Sequence, residues 1–174
     1  MIQRRNILRE QTGTAASEMA LVVPLLLVIM MGSLELGNYF LSEHAITKQV
    51  RDGARFASRL PLETNYTCPG TVGSTAATKI ANVTKTGTVS GSGELRFSAT
   101  NWADQCAATS PALQVSLRCV DKTLYGGVYQ GLASDIPVVK VAAAIKYNSV
   151  LNSIGFDSTS LCLRAESEAP VVGL

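Results

Sequence analysis

The sequence predicts an α+β protein in which one long N-terminal helix packs against a small antiparallel sheet. Three observations lead to this fold class. An uncharged apolar run of membrane length lies near the N-terminus, and an amphipathic helical pattern continues directly from it. Period-two alternation of apolar residues then marks several segments in the second half of the chain. The helix is therefore expected to serve both as an anchor and as part of the core.

The composition supports an anchored domain with a modest core. The chain has 174 residues, of which 47% are apolar and 16% charged, well below the roughly 25% charged residues of soluble domains. Three of the 15 basic and one of the 13 acidic side chains precede Thr14, which leaves 12 of each sign in the rest of the chain. The net charge of +2 is too small to indicate a nucleic-acid partner.

Catalytic chemistry is not indicated by the residues present. The single histidine, His44, cannot supply a multi-histidine metal site, and on an amphipathic helix it is expected to be a surface or interface residue. The sequence has no dinucleotide-binding, phosphate-loop or nucleophile-elbow motif. We therefore expect a non-enzymatic protein without a cofactor or bound metal.

The apolar run is long enough to cross a bilayer. Met19 to Leu34 are uncharged and cover roughly 24 Å as a helix, and extension to Ala15 and Gly37 gives about 35 Å. The hydrocarbon core of a bilayer is about 30 Å thick. A buried core helix, a cleaved signal peptide and a plain signal anchor are alternatives, but no small-residue cleavage site follows the run. A membrane-spanning helix over residues 14–37 is the prediction.

The basic residues before the run predict its orientation. Arg4, Arg5 and Arg9 are expected to remain cytoplasmic, which places the C-terminal part outside. The opposite flank also carries basic residues, but these lie farther from the span and alternate with Glu43 and Asp52. The charge asymmetry therefore favours an N-terminus in the cytoplasm.

The helical pattern continues beyond the span to Leu60. Apolar residues recur at steps of three and four and form one stripe: Leu41, Ala45, Ile46, Val50, Ala54 and Ala57. Pro61 is expected to end the helix. One helix from Thr14 to Leu60 would be roughly 70 Å long, and its outer half, residues 38–60, would carry the packing stripe.

The rest of the chain, residues 61–174, predicts an α+β head. Ser74–Lys85 is expected to form a short helix that stops at Gly87. Half-buried strands are predicted at Leu95–Ser98, Gln114–Val120, Val138–Tyr147 and Leu161–Ala165. An apolar cluster lies between the last two strands and is expected to be a packed connection rather than a membrane-touching loop: Val150, Leu151, Ile154 and Phe156.

All four cysteines lie beyond the span, and an even number in an exported domain predicts disulfides. Three pairings are possible for Cys68, Cys106, Cys119 and Cys162. The arrangement we expect joins Cys68 to Cys106 and Cys119 to Cys162, on the assumption that the latter two occupy adjacent strands. A zinc site is the alternative, but the sequence contains no Cys-x-x-Cys pair.

A short constellation at the start of the span suggests a processing site. Gly13 ends the basic leader, and Glu18 follows five residues later at the margin of the apolar run. Cleavage after Gly13 would release an amine on Thr14, and this amine could pair with a carboxylate in an apolar environment where both are costly alone. The simpler interpretation is that Glu18 interacts favourably with the helix dipole.

These residues carry a resemblance to a known family. The segment GTAASEMALVVPLLLVIMMGSLELGNYF, with RDGARFAS further along, resembles the TadE/TadG-like pseudopilins of the tight-adherence (Flp) pilus system. The resemblance is most specific over residues 12–59. It implies a pilin-like fold and a minor pilin that supports pilus assembly. The Glu18-Met19 pair suits the minor pilins, since the major pilins have Glu-Tyr there and are much shorter.

The resemblance also implies how the chain is processed and what it contacts. A prepilin peptidase would remove residues 1–13 by cutting between Gly13 and Thr14, and Glu18 would then be the fifth residue of the mature chain. The implied partners are that peptidase, other minor pilins and the major Flp pilin, in the bacterial inner membrane with the head in the periplasm. An unprocessed, single-pass anchored periplasmic binding module is the alternative function.

Overall fold

A single long helix runs through the computed structural model, which describes residues 11–103, 106, 111–125, 127–132, 135–155, 158 and 160–173. This helix, α1, extends over Gln11–Ser58. Its 48 residues correspond to about 72 Å, in agreement with the predicted length. Pro24 lies inside it without ending it. The arginines of the predicted leader, Arg4, Arg5 and Arg9, lie outside the described residues.

The C-terminal end of α1 is held by the head. Helix carbonyls in the last turn lack partners within the helix. Here the Tyr66 hydroxyl donates to the carbonyl of Ala57 at 2.6 Å, and the backbone nitrogens of Val172 and Gly173 donate to that of Ser58 at 2.8 and 3.2 Å. The helix therefore ends two residues before the predicted Leu60, where the terminal segment of the chain supplies these hydrogen bonds.

Three further α-helices belong to the head: α2 (Leu62–Asn65), α3 (Ser74–Thr86) and α4 (Ala99–Ala103). The predicted helix at Ser74–Lys85 is confirmed as α3. Gly87 ends it in the left-handed conformation, with φ of 73°, and donates its backbone N–H to the carbonyl of Val83 at 2.9 Å. A residue with a Cβ would be strained at this position.

The sheet has three antiparallel strands: β1 (Leu113–Val120), β2 (Ile136–Lys146) and β3 (Cys162–Pro170). Their spatial order is β1-β2-β3, so β2 is central. Strand β2 runs opposite to α1, because Tyr147 lies beside Asn38 while the residues after β3 reach Ser58. The sheet thus extends along the second half of the helix.

One face of the sheet packs on α1 and the other carries charge. The core combines fully buried side chains from α1, α3, β2 and β3: Ile46, Val50, Ala54, Ala57, Ile80, Val139, Val141, Ile145 and Leu163. The opposite face holds two ion pairs, Arg118 with Glu168 at 3.1 Å and Lys140 with Glu166 at 2.8 Å. This confirms the predicted α+β class, with a half-buried sheet.

Two local predictions are wrong. Leu95–Ser98 forms no strand; Phe97 instead packs edge to face on Trp102, with ring centroids 6.4 Å apart, so a side-chain contact positions this segment. Leu41, assigned to the packing stripe, is 71% exposed. The buried stripe on α1 begins at Ile46, because Leu41 points away from the sheet-covered face of the helix.

The expected disulfide pairing is also wrong. The bonds join Cys68 to Cys119 and Cys106 to Cys162. In the register, Cys119 lies opposite Pro137 at one end of β2 and Cys162 opposite Lys146 at the other end. Nine residues of strand separate these positions by roughly 30 Å, far beyond the reach of a disulfide. Cys119 and Cys162 lie on strands separated by β2, not on adjacent strands.

Candidate membrane and assembly site

The first half of α1 is an apolar surface that no other part of the described chain covers. Its side chains from Ala15 to Leu34 are all exposed, including Leu21 at 79% and Val28 at 69%. Among the described residues this is the one helix long and apolar enough to cross a membrane. Covering each large apolar side chain yields about 1.5–3 kcal/mol, so such a surface requires lipid or protein around it.

The predicted processing residues lie at the beginning of this surface. Gly13 and Glu18 are both exposed, and Gly13 and Thr14 are within the helical segment of the uncut chain. Apart from its chain neighbours and the backbone of its own helix turn, no described atom would lie within 4 Å of a Cβ added at Gly13. Positions 14 and 18 are four residues apart and share one helix face. The structure therefore places Thr14 and Glu18 close together, at the opposite end of α1 from its buried C-terminal half.

The second half of α1 is packed tightly, with one point of closest approach. The backbone of Gly53 faces Thr84 of α3, and a Cβ at position 53 would lie 3.2 Å from the Thr84 Cβ and still closer to its hydroxyl oxygen. Thr84 is fully buried and donates its hydroxyl to the carbonyl of Ile80 at 2.8 Å. The two helices can meet here because position 53 has no side chain.

Glu35 joins the exposed half of the helix to the head. One of its carboxylate oxygens, Oε2, accepts hydrogen bonds from the backbone nitrogens of Val150 and Leu151 at 3.1 and 3.3 Å. These residues open the 3₁₀ turn Val150–Ile154, which follows β2. The free N–H groups at the start of a helical turn bind a carboxylate well. A charge at the margin of the apolar run is thus paired with backbone dipoles of the head.

Tyr147 reinforces the same junction. Its hydroxyl accepts from the Asn38 amide at 2.8 Å and donates to the backbone carbonyl of Glu35 at 3.4 Å. Its ring meets that of Tyr39 edge to face at 5.2 Å. Burial, aided by the nearby Glu35 carboxylate, raises the pKa of Tyr147 above its usual value. The hydroxyl therefore remains protonated at physiological pH and keeps its donor role.

The two disulfides close opposite ends of the head. Cys106–Cys162 lies at the end of the sheet where Lys146 precedes Tyr147, which is the end near Glu35. Cys68–Cys119 lies at the other end, beside the start of β2. No described cysteine is free. The head is therefore cross-linked at both ends of the sheet.

Metal-ligating residues are not brought together in the described part of the chain. His44 is exposed on α1, and no group of three His, Cys, Asp or Glu side chains there could hold a metal ion. The features that stand out are the bare apolar half of α1 and its junction with the head. These features are compatible with a helix that anchors the chain in a membrane and packs against the head.

The Glu35 junction is the part of the site that the sequence interpretation missed. Glu35 directly follows the uncharged run, but the sequence does not link it to Asn38 or to Tyr147, which ends the predicted strand Val138–Tyr147. A signal was present, since an acidic residue bordering an apolar run requires a partner. The partner comes from a turn more than a hundred residues away, and sequence spacing does not identify such a contact.

The fold and site define an α+β protein with one exposed, membrane-length N-terminal helix. The family model described as TadE-like protein matches residues 13–55, which lie entirely within α1 and begin at Gly13. This confirms the resemblance over that segment and is consistent with a TadE-like protein of the tight-adherence pilus system. Comparisons with curated proteins and with solved structures found no match.

Proposed function

We propose that this protein is a minor pilin, or pseudopilin, that supports assembly of a tight-adherence (Flp) pilus and has no enzymatic activity. The supporting observation is that the TadE-like segment lies within α1. The side chains of α1 are exposed in its first half and packed against the head in its second half. Such a helix suits a subunit that is stored in a membrane and then packs beside other subunits. The head, cross-linked by two disulfides, would present a surface for neighbouring minor pilins.

Processing is the first step of the proposal. A prepilin peptidase recognises the leader in the membrane and cuts between Gly13 and Thr14, which releases a new amine on Thr14. The exposure of Gly13 and the open space around its Cα support access to this bond. Because Gly13 and Thr14 are helical in the uncut chain, local unwinding accompanies the cut, and glycine lowers its cost.

Glu18 then guides assembly. After the cut, the Thr14 amine and the Glu18 carboxylate are one helical turn apart, so they neutralise each other within the subunit. In a filament, the same carboxylate pairs with the amine of a neighbouring subunit or with another basic group and sets the axial register. Both charges are costly in the apolar environment, which favours arrangements that keep them paired.

The proposed location is the bacterial inner membrane, with the pilus as a further location. The basic leader would remain in the cytoplasm and the head would lie in the periplasm, an oxidising compartment that suits the two disulfides. Partners would be the prepilin peptidase, other minor pilins and the major Flp pilin. Nucleic acid is not among the proposed partners.

The N-terminus of the mature protein tests this function. Intact-mass and peptide mass spectrometry of the membrane fraction should find Thr14 as the first residue. Gly13→Leu should retain the leader and run more slowly on a gel, whereas Gly37→Leu, an exposed glycine farther along the same helix, should be processed normally. An intact leader in the wild-type protein, made in cells that assemble the pilus, would favour the unprocessed anchored binding module.

A further inference from the structure

We propose that the head of this protein touches the outer boundary of the bilayer directly, through an apolar collar around the junction of helix and head. The collar consists of exposed or half-buried side chains from α1, the Val150–Ile154 turn and the segment before β3: Leu36, Phe40, Val150, Leu151 and Leu161. The proposed occupant of this surface is membrane lipid. The inference rests on the proposed membrane span of α1.

The first argument is the shape and lining of the junction. A groove of about 280 Å³ lies between α1 and the head, beside Glu35. Its other lining residues are Gly32, Leu36, Tyr39, Tyr147, Leu151 and Leu161. Gly32 and Leu36 belong to the exposed apolar stretch of the helix. The groove is thus continuous with the surface that lipid would cover, and an acyl chain along the helix would extend into it.

The second argument is the level of the collar along the helix. Glu18 and Glu35 are 17 residues apart, which corresponds to about 26 Å of helix. With Glu18 at the inner boundary of a hydrocarbon core about 30 Å thick, Glu35 lies about 4 Å inside the outer boundary, and that boundary falls between Leu36 and Phe40. Leu36 and Phe40 follow within the next five residues, and the hydrogen bonds of Glu35 hold the Val150–Ile154 turn at the same level.

The third argument is the chemistry at this level. Three aromatic side chains, Tyr39, Phe40 and Tyr147, gather within one to two helical turns of Glu35, as in the aromatic belts of membrane proteins. The packed connection expected here does not bury Val150, which is 61% exposed although the turn around it is held by hydrogen bonds. Phe156 of the same predicted cluster lies outside the described residues. The exposed polar residues of the turn, Asn152 and Ser153, are uncharged and suit the headgroup region.

Together these contacts would fix the orientation of the head relative to the membrane. The helix alone leaves the head free to tilt with the bilayer, whereas a second contact through Val150 and Leu151 fixes which side of the head faces the membrane. The Glu35 hydrogen bonds then have a double effect. They supply hydrogen-bond donors to a carboxylate at the boundary, and they hold the turn at the level of the lipid surface.

Depth-dependent fluorescence quenching tests the collar. The full-length protein, with Trp102→Phe as background, is reconstituted in vesicles of phosphatidylethanolamine and phosphatidylglycerol, and tryptophan is placed at one position at a time. Trp102 is the only tryptophan of the chain, and its indole nitrogen makes no hydrogen bond in the described part. Val150→Trp should show blue-shifted emission. Lipids brominated near the glycerol end of the acyl chain should quench the intensity of this emission.

Two matched variants make the result decisive. Val172→Trp is the control above the membrane, because Val172 is 52% exposed and bonded to Ser58 at the far end of the helix, and it should be unquenched. Leu27→Trp reports the span and should be quenched by lipids brominated near the chain end. If Leu27→Trp is quenched and Val150→Trp behaves like Val172→Trp, the collar proposal is overturned while the span stands.

The remaining outcomes also count against lipid as the occupant. If Val150→Trp emission is blue-shifted but unquenched, and reverts when the protein is diluted in the vesicles, a second copy of this chain covers the collar. If Leu27→Trp is itself unquenched, the proposed membrane span fails, and the collar proposal fails with it.

Discussion

Glu35 Oε2 lies 3.1 Å from the backbone nitrogen of Val150, 115 positions further along the chain. This contact links the end of the apolar surface of α1 to the turn that follows the central strand. The Glu35 carboxylate is therefore part of the packing of the head and not only a marker of the end of the span. The same carboxylate also reaches the backbone nitrogen of Leu151, so its removal leaves two donors without this partner.

Replacement of Glu35 should loosen the Val150–Ile154 turn. Glu35→Ala removes an acceptor shared by two backbone N–H groups, and we expect a loss of about 1–3 kcal/mol in the free energy of unfolding of the head. Thermal unfolding in detergent and protease sensitivity near residue 150 would measure it. Glu35→Gln keeps a side-chain oxygen and should lose less. Equal stability of the alanine variant and the wild type would show that the junction contributes nothing.

Gly53 is expected to tolerate no side chain. Gly53→Ala would bring a methyl group against the buried Thr84 side chain and should destabilise the head by about 1–3 kcal/mol. Gly37→Ala is the control, because a Cβ at position 37 meets no described atom within 4 Å beyond its chain neighbours and the backbone of its own helix turn. It should be neutral or slightly stabilising. Chemical unfolding of both variants in the same detergent would compare them, and similar losses in the two would contradict the close approach of α1 and α3.

Tyr66 should make the head sensitive to alkali. Burial raises the pKa of Tyr66 to about 12, compared with about 10 in the unfolded chain. The folded state favours the neutral form of Tyr66. The contribution of this residue to the free energy of unfolding is therefore complete below pH 10 and disappears as the pH rises through about 12. The melting temperature of wild type should fall over that range more steeply than that of Tyr66→Phe. Parallel curves for the two proteins would rule this out.

Loss of the Tyr66 hydroxyl should have a cost near neutral pH as well. Tyr66→Phe removes the buried hydrogen bond to the Ala57 carbonyl, for which we expect about 1–2 kcal/mol of destabilisation. Its measured stability at neutral pH therefore provides the baseline for the alkaline comparison.

The disulfide pairing can be read directly by peptide mapping. Non-reducing digestion should give one linked pair containing Cys68 and Cys119 and another containing Cys106 and Cys162. Each bond closes a loop of more than 50 residues, so replacing one pair by serine should cost about 4 kcal/mol in the chain-entropy estimate. Linked peptides joining Cys68 to Cys106 would leave Cys119 to pair with Cys162. That result would contradict the strand order as well as the disulfide pairing, because β2 separates the strands of Cys119 and Cys162.

Glu18 should matter for assembly and not for folding. Since its side chain is exposed on the bare half of α1, Glu18→Ala should leave head stability and leader cleavage unchanged while the yield of pili falls. Glu18→Gln removes the charge and keeps the size of the side chain. If the role of Glu18 is to pair with an amine, this variant should lower the yield of pili as much as Glu18→Ala does. Pilus counts by electron microscopy beside N-terminal mass spectrometry would measure both effects. Normal piliation in Glu18→Ala would remove the pairing role from the proposal.

Local sequence patterns predicted those elements whose structure depends on neighbouring residues alone. The alternation Val139, Val141, Ala143, Ile145 predicted β2 because successive side chains of a strand face opposite sides. Gly87 predicted the end of α3 because glycine adopts the left-handed conformation readily. The strand predicted at Leu95–Ser98 is absent, and the structure instead places Phe97 edge to face on Trp102, a contact that alternation does not predict.

By itself the sequence determined that this protein has a basic N-terminal segment, a membrane-length apolar helix and a cysteine-bearing α+β head. Charge distribution and apolar periodicity are local properties, and they fix those elements wherever the chain folds. Only the tertiary structure decided that β2 separates β1 from β3, and hence which cysteines meet. It also decided that Glu35 binds the Val150–Ile154 turn and that α1 crosses α3 at Gly53. Those relationships arise from burying one face of the sheet on the helix, which brings together residues that no sequence spacing relates.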